Sequence, residues 1–329
     1  MTEQEYRAVD RKSYSRVTSF YKKGRRYYKR KFIDKEVEDE EMTIYMKTGS
    51  AVDCLLFDKG NFDNRFHLGT VKSESKGEAT KGESFVKYLF NHQKANPDVT
   101  FVDSAREAYT LAELKVPNFE TYMQKFEGSE LSKLYSDLLA SEGKIVISVQ
   151  DDANIKKIYN ELKYGITKEL FSGDVLGQVP ILFTYKRWDL KCLVDLIKFD
   201  HKNKIIYPLD LKVVSDVEEF QYAWLKDMYY VQEALYTKGI EAWRDEHYKG
   251  YDIMKFQFIA ADNINNKQPL VFDIHPSEGD LYSGFKTQSG RFYKGLDAML
   301  EEIEWHENNN KWTISKDNFE SNGYVTRVV

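Results

Sequence analysis

Three short runs rich in apolar residues follow one another between Val179 and Val213 and restrict the possible folds more than any other feature. They read VPILFTYK, KCLVDLIKF and IIYPLDLKV, and only the short segments RWDL and DHKNK separate them. Their content of Val, Ile, Phe and Tyr, bounded by turn-forming residues, is typical of β-strands. The sequence therefore predicts three consecutive strands in the second half of the chain.

The segments around these strands predict the rest of a core. Asp216 caps a long amphipathic helix over Val217–Lys238, which Gly239 closes. The other elements predicted after it are two strands, Lys255–Ala261 and Leu270–His275, and a final helix from Glu278 or Ser283 to His306. A helix capped by Asp151 or Asp152 precedes the first strand.

This order, helix, three strands, helix and strand, predicts an αβββαβ core of the α+β class. Up to about Gly173 the apolar pattern is mostly helical, as over Met42–Leu56. No internal repeat or Pro/Gly/Ser-rich linker interrupts the chain. We therefore expect a single domain over residues 1–329, with a mainly helical region over 1–150 and the core over 151–306.

Two aspartates and a lysine on the second and third strands are the candidate chemistry. Asp210 and Lys212 share one face of their strand because side chains alternate along a strand, while Asp195 has apolar neighbours on its own strand. A four-residue hairpin loop over 201–204 would set Asp195 directly opposite Asp210. Facing carboxylates repel each other unless a cation lies between them.

The sequence thus favours a site for Mg²⁺ or Mn²⁺, with Lys212 orienting or deprotonating a metal-bound water or stabilising charge. The alternative is a surface Asp-Leu-Lys triplet with an unrelated Asp195 one strand away, because such triplets also occur by chance. On the next helix Gln232 and Tyr236 are four residues apart and share one face. Such a pair also occurs as an ordinary helix contact.

The segment DLKVVSDVEEFQYAWLKDMYYVQEALYTKG resembles the RecE-like, exodeoxyribonuclease VIII-type, branch of the PD-(D/E)XK nuclease superfamily, which carries D-x-K followed by a helix with Q-x-x-x-Y. SYSRVTSFYKKG and TGSAVDCLLFDKGNFDNRF are also similar to the start of phage exonucleases of this branch. The resemblance implies a restriction-endonuclease-like core, with a mixed central sheet flanked by helices.

Residue roles follow from the resemblance in the same way. It implies that Asp195 and Asp210 bind metal, that Leu211 offers its backbone carbonyl, and that Lys212 is the catalytic lysine. Gln232 and Tyr236 match positions that support the active site or the DNA.

The chain departs from the family pattern at two positions. Relatives often have a histidine ligand in G-x-x-x-H, whereas here Gly49 is followed by Asp53, which we expect to be a third metal ligand. Relatives often have a glutamate before the first core strand, whereas here Gln178 stands there, and a neutral amide binds Mg²⁺ more weakly. Whether one metal or two would bind stays open.

The resemblance implies an Mg²⁺-dependent exonuclease that resects linear duplex DNA for phage recombination or replication, with a single-strand annealing recombinase and a ring-shaped homo-oligomer as possible partners. The net charge of −5 is unusual for a DNA-binding protein, but basic residues concentrate in one stretch. The predicted DNA-binding residues are Lys22, Lys23, Arg25, Arg26, Arg30 and Lys31. An equally reasonable interpretation is a solvated helix neutralised by the acidic segment that follows it.

Two alternative functions remain open. One is an inactive or weakened DNA-end-binding or scaffolding protein of the same fold, motivated by Asp53 and Gln178. The other is a RecB-like nuclease that acts on single strands.

Composition excludes several other classes. No apolar run approaches the about 18–20 residues that cross a bilayer, and the N-terminus lacks the apolar core of a signal peptide. Cys54 and Cys192 are too few for a disulfide framework or a cysteine zinc site. We therefore expect a cytoplasmic protein without a membrane partner, in the host cytoplasm if phage-encoded.

Overall fold

A mixed six-stranded β-sheet dominates the computed structural model, which describes residues 1, 3–38, 42–70, 80–116, 118–274, 276 and 279–324. The strands are β1 Phe66–Leu68, β2 Ile145–Ile147, β3 Val175–Tyr185, β4 Trp188–Asp200, β5 Ile205–Val214, β6 Asp252–Ile253, β7 Gln257–Asp262, β8 Leu270–Phe272, β9 Gly284–Lys286 and β10 Phe292–Lys294. The helices of the N-terminal half are α1 Glu3–Ala8, α2 Tyr14–Lys22, α3 Arg25–Tyr28, α4 Ile44–Phe57, α5 Phe62–Arg65, α6 Lys81–Ala95, α7 Phe101–Leu111, α8 Phe119–Phe126, α9 Glu130–Ala140 and α10 Val149–Tyr164. Those that follow are α11 Phe220–Lys226, α12 Tyr229–His247, α13 Asp280–Ser283, α14 Leu296–Asn309 and α15 Lys316–Glu320.

The central sheet has the order β3-β4-β5-β7-β8, with β6 paired to β5. β3, β4 and β5 are antiparallel neighbours, whereas β6 runs parallel to β5. Helices precede, interrupt and follow these strands along the chain, so the predicted α+β class with a mixed central sheet is confirmed.

The predicted hairpin between the second and third core strands is also confirmed. Asp200 pairs with Ile205, which leaves residues 201–204 as the loop. The strand predicted over Lys255–Ala261 is β7, shifted by one or two residues, and β8 covers the first half of the predicted Leu270–His275. His275 itself lies outside the described residues.

The long helix predicted over Val217–Lys238 is wrong in its bounds. The structure has two helices, α11 and α12, because Met228 adopts φ 61° in the left-handed region and breaks the helical path. Asp216 accepts a hydrogen bond from the Glu218 backbone nitrogen at 2.9 Å, but the residue that precedes α11 as its cap is Glu219.

Gly239 does not close the helix, because it lies inside α12 where that helix crosses the sheet. A Cβ atom there would lie 2.6 Å from Cys192 Sγ and 2.9 Å from a ring carbon of Phe183. The missing side chain therefore permits close packing of α12 against β3 and β4.

Two other predicted helix starts are also wrong. α10 begins earlier than predicted, because Ser148 is its N-cap and accepts from the Asp151 backbone nitrogen at 3.0 Å. The predicted final helix is replaced by a short helix, an antiparallel hairpin of β9 and β10, and then α14, which starts at Leu296. Each strand of that hairpin has only three residues, too few to show a periodic pattern.

The N-terminal segment is attached to the edge of β4. Lys12 forms a parallel bridge with Leu190, and the buried Lys191 ammonium donates to the backbone carbonyls of Tyr6 and Val9 at 3.0 and 2.7 Å. Burial lowers the pKa of Lys191. These bonds hold the segment before α2 on the sheet.

The chain divides into two units, each with its own apolar core. One unit comprises residues 1–41, 167–261 and 269–329, and in its core α12 and α14 bury Leu235 and Leu300 in a cluster with sheet residues such as Val194. The other comprises residues 42–166 and 262–268, where Phe85 and Leu89 of α6 pack with Ala105 of α7. The single-domain assignment and its boundaries stay a prediction. Within the part of the chain that the structure describes, no helix has the length and apolarity to cross a membrane.

Candidate active site

Asp195 lies where the β4–β5 ladder ends. The last paired residues of the ladder are Leu196 and Leu209. One step further, Asp195 Oδ2 accepts a hydrogen bond from the Leu211 backbone nitrogen at 2.9 Å, so a side chain takes the place of a ladder bond. The carboxylate is thereby fixed between the two strands.

Asp210 is the most buried acid of the candidate site, with 1% of its surface exposed. Its Oδ1 accepts from Gln232 Nε2 at 2.6 Å, and its Oδ2 forms an ion pair with the Lys212 ammonium. A buried carboxylate is costly unless it is paired and hydrogen-bonded. Gln232 and Lys212 meet both conditions for Asp210. The positive charge of Lys212 therefore offsets the repulsion expected between Asp195 and Asp210.

Lys212 is the cation of this cluster, and its surroundings keep it charged. The ammonium lies 5.1 Å from the ring centre of Tyr229 and 5.9 Å from that of Phe258. Burial alone would lower the pKa of Lys212, but the Asp210 and Asp195 carboxylates outweigh it and hold the pKa above its usual value. The two acids and Lys212 therefore form one electrostatic unit.

Gln178 contacts the same unit from β3. Its Nε2 donates to Asp195 Oδ1 at 3.1 Å. Its backbone has φ 51°, a left-handed conformation that costs a non-glycine residue about 1–3 kcal/mol. The pairs on either side, Gly177 with Leu196 and Val179 with Val194, keep one register, so the distortion is confined to the residue beside Asp195.

Gln232 and Tyr236 lie on α12 as the spacing predicted, and the structure brings both to the acids. Gln232 bonds Asp210 directly, while burial and then the negative charges of Asp210 and Asp195 raise the pKa of Tyr236. Tyr229, which the sequence analysis missed, lies three residues before Gln232 on the same helix. The spacing 229, 232, 236 would have identified it as a member of this face.

Asp53 lies on α4, in the other of the two units, and is half-buried. Among the residues that the structure describes, no group of three or more His, Cys, Asp or Glu side chains is close enough together to hold a metal ion. The assignment of Asp53 as a third ligand stays a prediction.

At least three of the seven cations in the basic stretch over 22–31 form ion pairs with nearby acids. Lys29 pairs with Asp34 at 2.5 Å and Arg30 with Glu36 at 3.1 Å, both in the segment that follows the stretch. Lys22 reaches the carboxylate of Asp227 at 3.3 Å. These bonds agree with the interpretation of a helical segment neutralised by nearby acids, and any phosphate would have to compete with them.

Comparison with known proteins leaves the family of the chain open. No family model matches it, and no curated protein matches it. A crystal structure of a "Putative exonuclease" from Eubacterium rectale is 15% identical, with a TM-score of 0.45 over 99% of this chain and 88% of that chain. A likeness of that size does not establish a shared fold or activity, so the chemistry has to be derived from the residues of this chain.

Proposed function

We propose that the chain is a metal-dependent DNA nuclease with a PD-(D/E)XK-type site. The observation that supports it best is the cluster of Asp195, Asp210 and Lys212 at the end of a strand ladder, held by Gln178 and Gln232. Two carboxylates beside a lysine can support hydrolysis of a phosphodiester, since they can hold a hard cation and stabilise developing charge.

The donor set suits Mg²⁺ or Mn²⁺. Asp195 and Asp210 would be the carboxylate ligands and Leu211 the carbonyl ligand, since in an antiparallel ladder the N–H and C=O of one residue face the same neighbouring strand. When bound, the metal would polarise the phosphate and lower the pKa of a bound water. Asp53 is retained as a proposed additional ligand.

Lys212 would act through its positive charge. In the structure it neutralises Asp210, and a metal that binds both acids would compete with that ion pair. The freed ammonium could then orient the attacking water or stabilise the phosphate in the transition state. The rings of Tyr229 and Phe258 would limit how far it moves.

We further propose the finer activity that the family resemblance implies: exonucleolytic resection of linear duplex DNA, serving phage recombination or replication. An annealing recombinase and a ring-shaped homo-oligomer would be its partners, and a ring could concentrate basic residues in its channel. Lys22, Lys23, Arg25, Arg26, Arg30 and Lys31 remain the proposed DNA-binding residues of that channel.

The decisive experiment compares end-labelled linear duplex DNA with a closed circle in Mg²⁺, using wild type and Asp210→Asn. Digestion of the linear DNA only, lost in the variant, supports the exonuclease, and the position of the label gives its polarity. A single-stranded substrate in parallel tests the RecB-like alternative. Cleavage of the circle would refute exonuclease action but not the metal site.

A non-catalytic scaffold of the same fold is the second candidate, and one observation favours it. All four carboxylate oxygens of Asp195 and Asp210 already accept a bond from Gln178, Leu211, Gln232 or Lys212. Such a cluster is satisfied without metal. Wild-type protein that binds DNA ends but releases no nucleotide with Mg²⁺ or Mn²⁺ would establish this alternative.

A further inference from the structure

The break between α11 and α12 forms one wall of a cavity of about 350 Å³. The cavity is lined by Tyr222, Leu225, Lys226, Met228, Arg291 and Tyr293. The left-handed Met228 that opens it is followed by Tyr229, whose ring lies against the Lys212 ammonium. The cavity and the candidate active site therefore share one short segment of backbone.

The opposite wall is the β9–β10 hairpin, whose charged residues are all positive. Its sequence from 284 to 294, GFKTQSGRFYK, contains three cations and no acid. Lys294 is engaged with Glu302 at 2.6 Å. For the exposed Arg291, and for Lys226 across the cavity, no acidic partner is found in the described part of the chain. This differs from Lys22, Lys29 and Arg30 of the basic stretch, each of which has an acid beside it.

Arg291 is also held in place by an aromatic ring. Its guanidinium lies 5.2 Å from the centre of Tyr293, which stacks on Phe285 at 5.6 Å and 15°. A stacked guanidinium loses less freedom when it binds an anion, because its plane is already fixed. Tyr222 leaves 61% of its surface to solvent and offers a second aromatic face in the same cavity.

We propose that this cavity, the Tyr222–Arg291 pocket, binds one unpaired nucleotide of single-stranded DNA. Tyr222 would stack on the base, while Arg291 and Lys226 would bind the adjacent phosphate. The volume lies at the low end of the about 300–1,000 Å³ of ligand pockets, and a base stacked inside a duplex could not enter it. This inference rests on the proposed function insofar as DNA is the partner, and it adds a site for the strand outside the acidic cluster.

The test is binding of a labelled oligothymidylate of about a dozen nucleotides, measured by fluorescence anisotropy in EDTA, where cleavage is prevented. We expect Tyr222→Leu to weaken binding about 5- to 150-fold, the range for loss of one base–aromatic stack. Arg291→Gln should also reduce the slope of log affinity against log salt by about 0.7, the value for one phosphate contact on a single strand.

The matched control is Arg187→Gln. Arg187 also covers an aromatic ring, that of Trp188 at 4.4 Å, but Glu304 already binds it at 2.6 Å. The control makes the same change in net charge, but Arg187 does not line the pocket, so its loss should leave affinity and salt slope unchanged. Both Tyr222 and Arg291 are exposed, and unfolding curves check that their variants remain folded.

Several outcomes would overturn the pocket. One is that the variants bind oligothymidylate as tightly as wild type does. Another is that a fully paired duplex binds with the same dependence on Tyr222. A third is that inorganic phosphate competes with oligothymidylate as well as thymidine monophosphate does. If thymidine monophosphate competes and inorganic phosphate does not, the pocket binds a nucleotide, and a single nucleotide is enough to occupy it.

The two proposals fail separately. Binding that depends on Tyr222 and Arg291 without release of nucleotides in Mg²⁺ supports the pocket and refutes the nuclease. Cleavage and binding that are unaffected in both variants support the nuclease and refute the pocket.

Discussion

Replacing Lys212 with Met removes the cation that forms an ion pair with a carboxylate buried to 99%, since Asp210 is only 1% exposed. Breaking a buried ion pair from one side costs about 3–5 kcal/mol. The Lys212 side chain is 17% exposed and Gln232 still donates to Asp210, so we expect the low end, about 3 kcal/mol, in the free energy of unfolding. Denaturant-induced unfolding at neutral pH measures this loss.

The matched control is Lys238→Met. Lys238 also pairs with an acid, Glu241 at 2.8 Å, and its ammonium lies 5.1 Å from the ring centre of Tyr282. Because this pair is more exposed, its loss should cost about 0–1 kcal/mol. If both variants lost the same free energy of unfolding, the burial of Asp210 would not be the reason why Lys212 stabilises the fold.

The pH dependence has a definite sign. Since the fold raises the pKa of Lys212, its stabilising contribution is complete below the usual lysine value of about 10.4 and is lost as the pH rises through the raised value. The difference in stability between wild type and Lys212→Met should therefore be constant from about pH 7 to pH 10 and narrow above that. A difference that narrows below pH 9 would contradict this assignment.

Mg²⁺ distinguishes the metal site from a merely structural ion pair. A ligand at 100 times its dissociation constant stabilises a fold by about 2.7 kcal/mol. We expect Mg²⁺ to stabilise Lys212→Met more than wild type, because no ammonium then competes for Asp210. No added stability in either protein would refute metal binding at this cluster.

Three further predictions concern packing and the strained residue. Gly239→Ala should destabilise the fold by about 1–3 kcal/mol in denaturant unfolding, because its Cβ would lie 2.6 Å from Cys192 Sγ. Lys191→Met should leave the N-terminal carbonyls that its ammonium binds without their donor, so limited proteolysis should cleave before residue 13 faster than in wild type. Gln178→Glu should lower the stability of the fold in EDTA by about 1–3 kcal/mol, because a negative charge replaces the group that donates to Asp195. Mg²⁺ should restore part of that stability. Thermal unfolding in EDTA and in Mg²⁺ measures both effects.

The parts of the fold that the sequence predicted correctly are set by local patterns. The hairpin from Asp200 to Ile205 follows from two apolar runs and a polar loop, and its register fixes where the two aspartates lie. The break at Met228 could not be predicted, because a left-handed methionine carries no sequence signal and is held there by tertiary packing.

The sequence likewise predicted some features of the candidate site and not others. Residue types and spacing predicted that Asp195, Asp210 and Lys212 lie together, as they do in the structure, and their roles stay a prediction. Residue types and spacing could not show that Lys212 and Gln232 satisfy Asp210 without metal, because that depends on how α12 packs across the sheet. The spacing 229, 232, 236 places Tyr229 on the same helix face, but its contact with the Lys212 ammonium depends on that packing too.

The attachment of the N-terminal segment to β4 has a consequence for biosynthesis. Lys12 and the carbonyl of Tyr6 contact Leu190 and Lys191, which lie 178 and 185 residues later in the chain. On the ribosome, Tyr6 and Lys12 are therefore synthesised well before Leu190 and Lys191 and must wait for these partners. Contacts of such long sequence separation form late and slowly. The edge of β4 beside Leu190 is thus completed by a segment that was synthesised well before it, after the hairpins around it have had time to form.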